Sequence, residues 1–304
     1  MANQRGGEHY GNIGSEMITG IVFSKDRAMQ LRLLLESLQL NFSELKDIHV
    51  LYTYSNDLFR DGYEKLKSEF SSVQFVRQSD NFYLDILNLI SRSDKYVCFF
   101  TDDDIIYRTV PESISLLDQI FEMPVSCFSL RLGYNTTIRE SEGKRFQDVL
   151  PSQTIELSQN LIGWNRTSLP TGGYWSYPLS VDGHIFEKQT MWNFVNEISC
   201  LFEHDCCSGK IKQRPNFFES MLQRFYFELP PLMTCFTESV VVNSPNNRVQ
   251  NDFQNVSGSQ FSFSQEDLNN KYLEGYIIDL SAINFSNIQC PHQELHLSVV
   301  KDEE

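Results

Sequence analysis

Positive charge is scarce in this chain. Its 304 residues hold 25 lysines and arginines against 40 aspartates and glutamates, a formal net charge of −15. That imbalance argues against a nucleic-acid backbone or an anionic membrane as the main partner, because both call for basic surface. It leaves room for a nucleotide, since a bound cation and a few local basic groups hold a diphosphate. No apolar run reaches the roughly 18 residues that a membrane span needs. No secretory hydrophobic segment opens the chain either: Met1 to Glu16 is polar and glycine-rich and reads as a mobile tail. Cysteines number seven, without metal-site spacing; Cys206-Cys207 is a vicinal pair, and Cys98 and Cys127 sit inside apolar runs. Free, mostly buried thiols in a reducing, cytoplasmic setting are the expectation. Without an export signal, triplets such as Asn165-Arg-Thr167 are read as chance. Repeats and low-complexity tracts are missing, while 41% hydrophobic and 13% aromatic residues supply an ample globular core.

The first third alternates two periodicities. Ile18–Phe23, Ile48–Thr53, Val73–Arg77 and Lys95–Thr101 read as strands. Between them, Leu31, Leu34, Leu35 and Leu38 share one helical face, as do Leu58, Tyr63, Leu66 and Phe70, and then Phe82, Ile86, Leu89 and Ile90, with Asp80 or Asn81 as cap. Strands alternating with helices of this length predict right-handed βαβ units and a mainly parallel sheet flanked by helices. Further on, helices are expected over Glu112–Phe121, Lys188–Phe202 and Phe217–Phe227, and from Ser264. Strands are expected over Val125–Leu130 and Glu238–Asn243. A strand and turn are expected over Trp175–Phe186, with Asp182-Gly183 as the turn. Arg131 to Trp164 reads as loop-rich, and Ser244 to Phe263 as a long polar excursion.

Asp102, Asp103 and Asp104 follow directly on the apolar strand Lys95–Thr101. Adjacent carboxylates raise one another's pKa and repel, so such a cluster is costly unless a cation binds there. Oxygen ligands of this kind suit Mg²⁺ or Mn²⁺, which is held by one or two carboxylates together with substrate phosphates. A solvated acidic turn is the alternative. In parallel sheets ligands bind beyond the carboxyl ends of the strands. Ser24-Lys-Asp-Arg27 and Tyr54-Ser-Asn-Asp57 also follow strands, so three polar loops are expected to converge on one crevice.

The order of Ile18–Phe23, Ser24-Lys-Asp-Arg27, a leucine-rich helix and the strand ending in Asp102-Asp-Asp104 resembles the nucleotide-sugar glycosyltransferases of the GT-A fold, in their broad family 2-like group. A later Pro215-Asn-Phe-Phe-Glu219 opening a helix adds to the likeness, which is firm over about 17–130 and looser from 165 to 250. It implies a Rossmann-like α/β domain whose nucleotide-binding half covers 17–110 and whose loop-rich acceptor half covers 111–245. Residues 1–16 would be a tail and 246–304 a C-terminal lid or extension. The implied activity is metal-dependent transfer of a sugar from a nucleoside-diphosphate sugar to a glycan or glycoconjugate. A nucleotidyltransferase is the alternative, disfavoured because Ser24-Lys-Asp-Arg27 has no glycine; an inert binding module of the same fold is another.

The resemblance also implies roles. Asp102 would meet the ribose or the metal, Asp104 would ligate the metal, and Asp103 could supply either role. Ser24, Lys25, Asp26 and Arg27 would meet the nucleotide, Arg27 at the diphosphate or base with Asp26 orienting it. Asn56 would lie near the base, Asp85 near the ribose, and Arg248 would close over the diphosphate. Glu219, at a helix start where the dipole favours its ionised form, is the first candidate for the base that takes the acceptor's proton. Asp182 is the second, with inversion as the favoured outcome. His184 is a candidate metal or phosphate contact. Trp175, Tyr174 and Tyr177 are candidates for stacking on a sugar; aromatic core filling is the alternative for them.

Overall fold

A computed structural model describes residues 18–45, 47–141, 144–205, 212–247, 258 and 263–302. The expected tail over 1–16, Cys206-Cys207 and Arg248 lie outside the described residues. The first third folds as its periodicities predict: β1 (Ile18–Lys25), α1 (Ala28–Asn41), β2 (Asp47–Thr53), α2 (Asp57–Glu69), β3 (Gln74–Arg77), α3 (Phe82–Arg92) and β4 (Tyr96–Thr101). Asn56 caps α2 and Asn81 caps α3, each accepting a first-turn backbone N–H. No side chain caps α1, and its first turn carries no acidic residue. The buried leucines of α1 cover one sheet face, while α3 covers the other.

The chain continues through β5 (Asp104–Ile106), α4 (Leu117–Phe121), β6 (Val125–Ser129), β7 (Ile138–Ser141), β8 (Lys144–Gln147), β9 (Ile155–Ser158) and β10 (Leu161–Asn165). Then come β11 (His184–Glu187), α5 (Lys188–Asp205), α6 (Pro215–Leu222), β12 (Leu232–Phe236), β13 (Val241–Asn243), α7 (Gln265–Leu273), β14 (Tyr276–Ile278) and β15 (Val299–Lys301). Nine strands form one sheet in the order β3-β2-β1-β4-β11-β6-β12-β10-β9. The pairings make β10 and β11 antiparallel to their neighbours and leave the other strands of this sheet pointing one way. The sheet is therefore mostly parallel, with helices on both faces, as expected.

Several segments depart from expectation. Arg131 to Trp164 is rich in loop, as expected, yet it also carries the β7–β8 hairpin and supplies β9 and β10 to the sheet. These strands are four or five residues long, and β8 and β9 are largely exposed, so they carry little apolar alternation. Within Trp175–Phe186 the strand begins at His184, after a 3₁₀ turn over Tyr174–Ser176. Gly183 does provide the bend, with φ at +70°. The helix expected over Glu112–Phe121 is half 3₁₀, and the one over Phe217–Phe227 ends its α portion at Leu222.

Candidate functional site

The sheet order puts β2 and β3 on one side of β1 and β4 on the other, so the β1–β4 junction is a topological switch point. The carboxyl ends of β1 and β4 meet there through Asp102. Its Oδ2 accepts from Ser24 Oγ at 2.9 Å and from the Lys25 backbone N–H at 3.0 Å, and its Oδ1 accepts from Arg27 Nη1 at 2.9 Å. The same Nη1 donates to Asp103 Oδ2 at 2.8 Å. Arg27 is buried and also donates to Asn247, through Nε to Oδ1 at 2.8 Å and Nη2 to the backbone carbonyl at 2.5 Å. Ser24 shares a 2.7 Å hydrogen bond with the enclosed Tyr63 hydroxyl. The Lys25 side chain itself is exposed.

A second group of residues closes on the triplet from later in the chain. Asn243, ending β13, donates through Nδ2 to Asp103 Oδ1 at 2.8 Å, Asp104 Oδ1 at 3.1 Å and Thr101 Oγ1 at 3.0 Å. Because β11 runs against the parallel strands, its start lies at their carboxyl edge, which brings Asp182 there. Thr101 Oγ1 donates to Asp182 Oδ1 at 3.2 Å, and Arg131, just beyond β6, donates to Asp182 Oδ2 at 3.1 Å. His292 reaches in from the C-terminal segment, with Nδ1 3.2 Å from Asn243 Oδ1 and Nε2 3.5 Å from Asp182 Oδ2. The carboxylates on Asn243 Nδ2 fix that amide's orientation, so Nδ1 of His292 is the protonated nitrogen. The Nε2 lone pair of the neutral ring then faces a carboxylate oxygen 3.5 Å away, a contact that a proton on Asp182 would turn into a hydrogen bond.

Burial and crowding raise the carboxyl groups gathered here. Burial, then the charges of Asp182 and Asp103, push the Asp104 carboxyl well above the usual range. Burial also raises Asp182, against the pull of Arg131. Asp102 is pushed up to about 6 because burial and the neighbouring Asp103 outweigh Arg27. Glu219 lies in the second turn of α6, past the first turn where the helix dipole was expected to favour its ionised form, and it accepts from Tyr177 OH at 2.7 Å and from the Val181 backbone N–H at 3.2 Å. Burial, reinforced by Asp182, pushes its carboxyl up to about 7, a value suited to proton transfer near neutrality. Among the described residues, no three His, Cys, Asp or Glu side chains gather tightly enough to hold a metal ion by themselves. A Mg²⁺-like ion takes one or two carboxylates and completes its shell with phosphates and water, so an open set of this kind is compatible with it.

Several expected roles are corrected. Trp175 is fully buried, packs edge-on against Trp164 at 4.8 Å and donates Nε1 to the Thr136 carbonyl, so its ring is core and faces no sugar. His184 is likewise core: its Nδ1 lies 3.0 Å from the Pro178 carbonyl, and burial, then Arg131, pushes its pKa down to about 3. Asp104 is 0% exposed, and its Oδ2 accepts from the Thr101 N–H at 2.8 Å, closing the turn after β4. It is a structural carboxylate, and Asp103 is the most accessible of the three. Asp102 is engaged by three donors and is poorly placed to ligate a metal. Asp26, at φ +57°, gives both oxygens to Ser55 and orients the β2 loop, not Arg27. Asn56 is spent on its helix cap, and Asp85 accepts from the N–H and hydroxyl of Ser79, closing the turn before α3. Tyr174 lies beside His292, ring centroids 5.6 Å apart, and Tyr177 is held by Glu219.

Arg131 is the site residue that the sequence reading missed, although a cation just beyond a parallel strand is a usable signal. Asn243 and Asn247 lie in a polar, specific-looking stretch, Asn243 to Gln250, to which the sequence assigns a role only through Arg248, and His292, beside Cys290, lacks the spacing of a zinc site. Their return to the triplet is announced by no periodicity.

The fold and the site together define an α/β protein with a mostly parallel sheet and an acid-rich cluster at its switch point. No protein-family model matches the chain. It is 28% identical over 301 aligned positions to the bifunctional glycosyltransferase pgtA of Dictyostelium discoideum, covering 88% of this chain and 38% of that protein. The chain thus spans well under half the length of this curated relative. Its resemblance to glycosyltransferases, read from the residues, is supported by that similarity. Among solved structures, the chain is similar to TarS of S. aureus, at TM-score 0.42 and 12% identity over 76% of this chain and 37% of that one. It is also similar to 4-diphosphocytidyl-2C-methyl-D-erythritol synthase of Anaerococcus prevotii, at TM-score 0.37 and 12% identity over 85% of this chain and 96% of that one. Among the described residues, no helix is long and apolar enough to cross a membrane.

Proposed function

We propose that this chain is a glycosyltransferase that moves a sugar from a nucleoside-diphosphate sugar to a hydroxyl of a glycan or glycoconjugate, with Mn²⁺ or Mg²⁺ as cofactor. The observation that carries this reading is the set of enclosed, mutually repelling carboxylates at the β1–β4 switch point, beside Arg27 and the uncapped start of α1. Negative side chains alone are unstable there, whereas a cation with a diphosphate would settle them. The similarity to pgtA supports the same class.

Asp103, with Asp182 and His292 beside it, would hold the cation. When bound, that ion offsets the charge developing on the diphosphate leaving group. Arg27 would turn its guanidinium from Asp103 to the diphosphate, and α1 would add its N-terminal dipole. Asp102, fixed by Ser24, Lys25 and Arg27, has an Oδ1 lone pair left to accept from a ribose hydroxyl. Glu219 would accept the acceptor's proton as the acceptor oxygen bonds to the anomeric carbon and the bond to the diphosphate breaks. Attack from the side opposite the leaving group inverts that centre.

The test is a thermal-shift screen of UDP, GDP and their sugars, with and without Mn²⁺. A ligand at 100 times its dissociation constant adds about 2.7 kcal/mol. Stabilisation that depends on Mn²⁺, followed by transfer or slow hydrolysis of the donor, is the expected result. No shift with any nucleotide would remove the basis of the proposal, and pyrophosphate release from a nucleoside triphosphate would replace it with nucleotidyl transfer.

A further inference from the structure

Arg131 has no part in the chemistry above, yet it lies between the residues that do. It is 3% exposed, and its Nη1 donates to Ser180 Oγ at 2.6 Å and to Asp182 Oδ2 at 3.1 Å. Its guanidinium lies 5.1 Å from the centre of the Tyr174 ring. Nη2, by contrast, is enclosed and has no hydrogen-bond partner. An enclosed donor on a charged group is costly to leave unmet, so an acceptor belongs there.

The surroundings say which acceptor fits. Asp182 already balances the guanidinium, and Glu219 and Asp104 are close enough to act on its charge. A carboxylate or phosphate placed at Nη2 would join a cluster that is already over-supplied with negative charge. A sugar hydroxyl accepts from Nη2 and donates its own proton to a neighbouring carboxylate, adding no charge. The position suits a transferred sugar. Asp182 is tied through Thr101 to the triplet, where the diphosphate would sit, and the backbone next to Asp182 is tied through Val181 to Glu219.

We propose that Arg131 is a specificity-determining residue that holds a hydroxyl of the transferred sugar through Nη2, selecting donors that carry a neutral sugar over donors that carry a uronic acid. This rests on the glycosyltransferase reading, and the test separates the two. Binding of UDP, GDP, UDP-glucose, UDP-galactose, UDP-N-acetylglucosamine, GDP-mannose, GDP-fucose and UDP-glucuronic acid is measured by calorimetry on the full chain with Mn²⁺. At least one neutral-sugar donor should bind about tenfold more tightly than its nucleoside diphosphate, the size of one hydrogen bond to a charged group. Arg131→Lys should erase that gain, read as the ratio of sugar-nucleotide to nucleoside-diphosphate affinity within the same variant, and UDP-glucuronic acid should bind no better than UDP. Ser180→Ala, which frees Nη1 but keeps the charge, is the second variant and should reduce the same gain should Arg131→Lys fail to fold. A gain that survives in a folded variant, or tighter binding of UDP-glucuronic acid, overturns the role of Arg131. Absence of binding by both UDP and GDP to the unaltered protein overturns the glycosyltransferase reading and this inference with it.

Discussion

Replacing Arg27 with methionine removes the cation that the triplet already has. In the folded protein its guanidinium meets Asp102 at 2.9 Å and Asp103 at 2.8 Å, with side-chain exposures of 7% for Arg27, 5% for Asp102 and 11% for Asp103. Removing one partner of a buried pair leaves an uncompensated charge and costs about 3–5 kcal/mol. For a chain of this size each kcal/mol moves Tm by roughly 2–4 °C, so a fall of about 10 °C is expected in metal-free buffer. The deficit should depend on pH in a definite sense. Asp102 titrates at about 6 when folded, above its ordinary 3.8. An acid raised by folding stabilises the fold while it is protonated, and that contribution is lost as pH rises through the folded value. Without Arg27 the folded value rises further, so the variant should lose most above pH 6 and least near pH 5. Thermal unfolding followed by circular dichroism at pH 5, 6, 7 and 8 reads this directly. A variant that melts within about 2 °C of the unaltered protein at pH 8, or whose deficit is no smaller at pH 5, would refute the view that Arg27 stands in for a bound cation.

Glu219→Gln should lower transfer about 100- to 10,000-fold while leaving nucleoside-diphosphate affinity within about twofold. Since only the ionised carboxylate accepts a proton and the group titrates near 7, activity of the unaltered protein should climb as pH rises through about 7, in a rate profile taken from pH 5.5 to 8.5. Asp103→Asn should abolish the Mn²⁺-dependent part of nucleotide binding in calorimetry. Asp104→Ala should instead lower Tm by an amount equivalent to about 1–3 kcal/mol, because the Thr101 N–H loses its acceptor. Trp175→Ala should destabilise by about 3–5 kcal/mol in urea titrations, with donor affinity unchanged in the folded protein.

The nucleotide-side half was legible because its patterns are local and strong. Alternating strands and amphipathic helices fixed the βαβ order, and the order fixed which loops share an edge. Ser24, Arg27 and Asp102 follow from that rule, and they do meet. The rule could not say which carboxylate of the triplet stays reachable, because this depends on Asp104 folding back to the Thr101 N–H. It also could not separate Trp175 from Tyr174. They are neighbours in a glycine-rich stretch, yet one fills the core against Trp164 and the other lies beside His292. Asn243 and His292 were out of reach for a different reason. Their positions come from contacts between distant, irregular segments, which leave no period in the sequence.

The bridge between Asn243 and His292 fastens a late stretch of chain to the mouth of the crevice, with the Asn243 N–H bound to the Pro291 carbonyl and the Gln293 N–H to that of Asn243. During synthesis the aspartates leave the ribosome long before this clasp does. The surroundings of the aspartates are therefore completed only by contacts with residues far along the chain, since Asn243 reaches Asp103 on one side and His292 on the other.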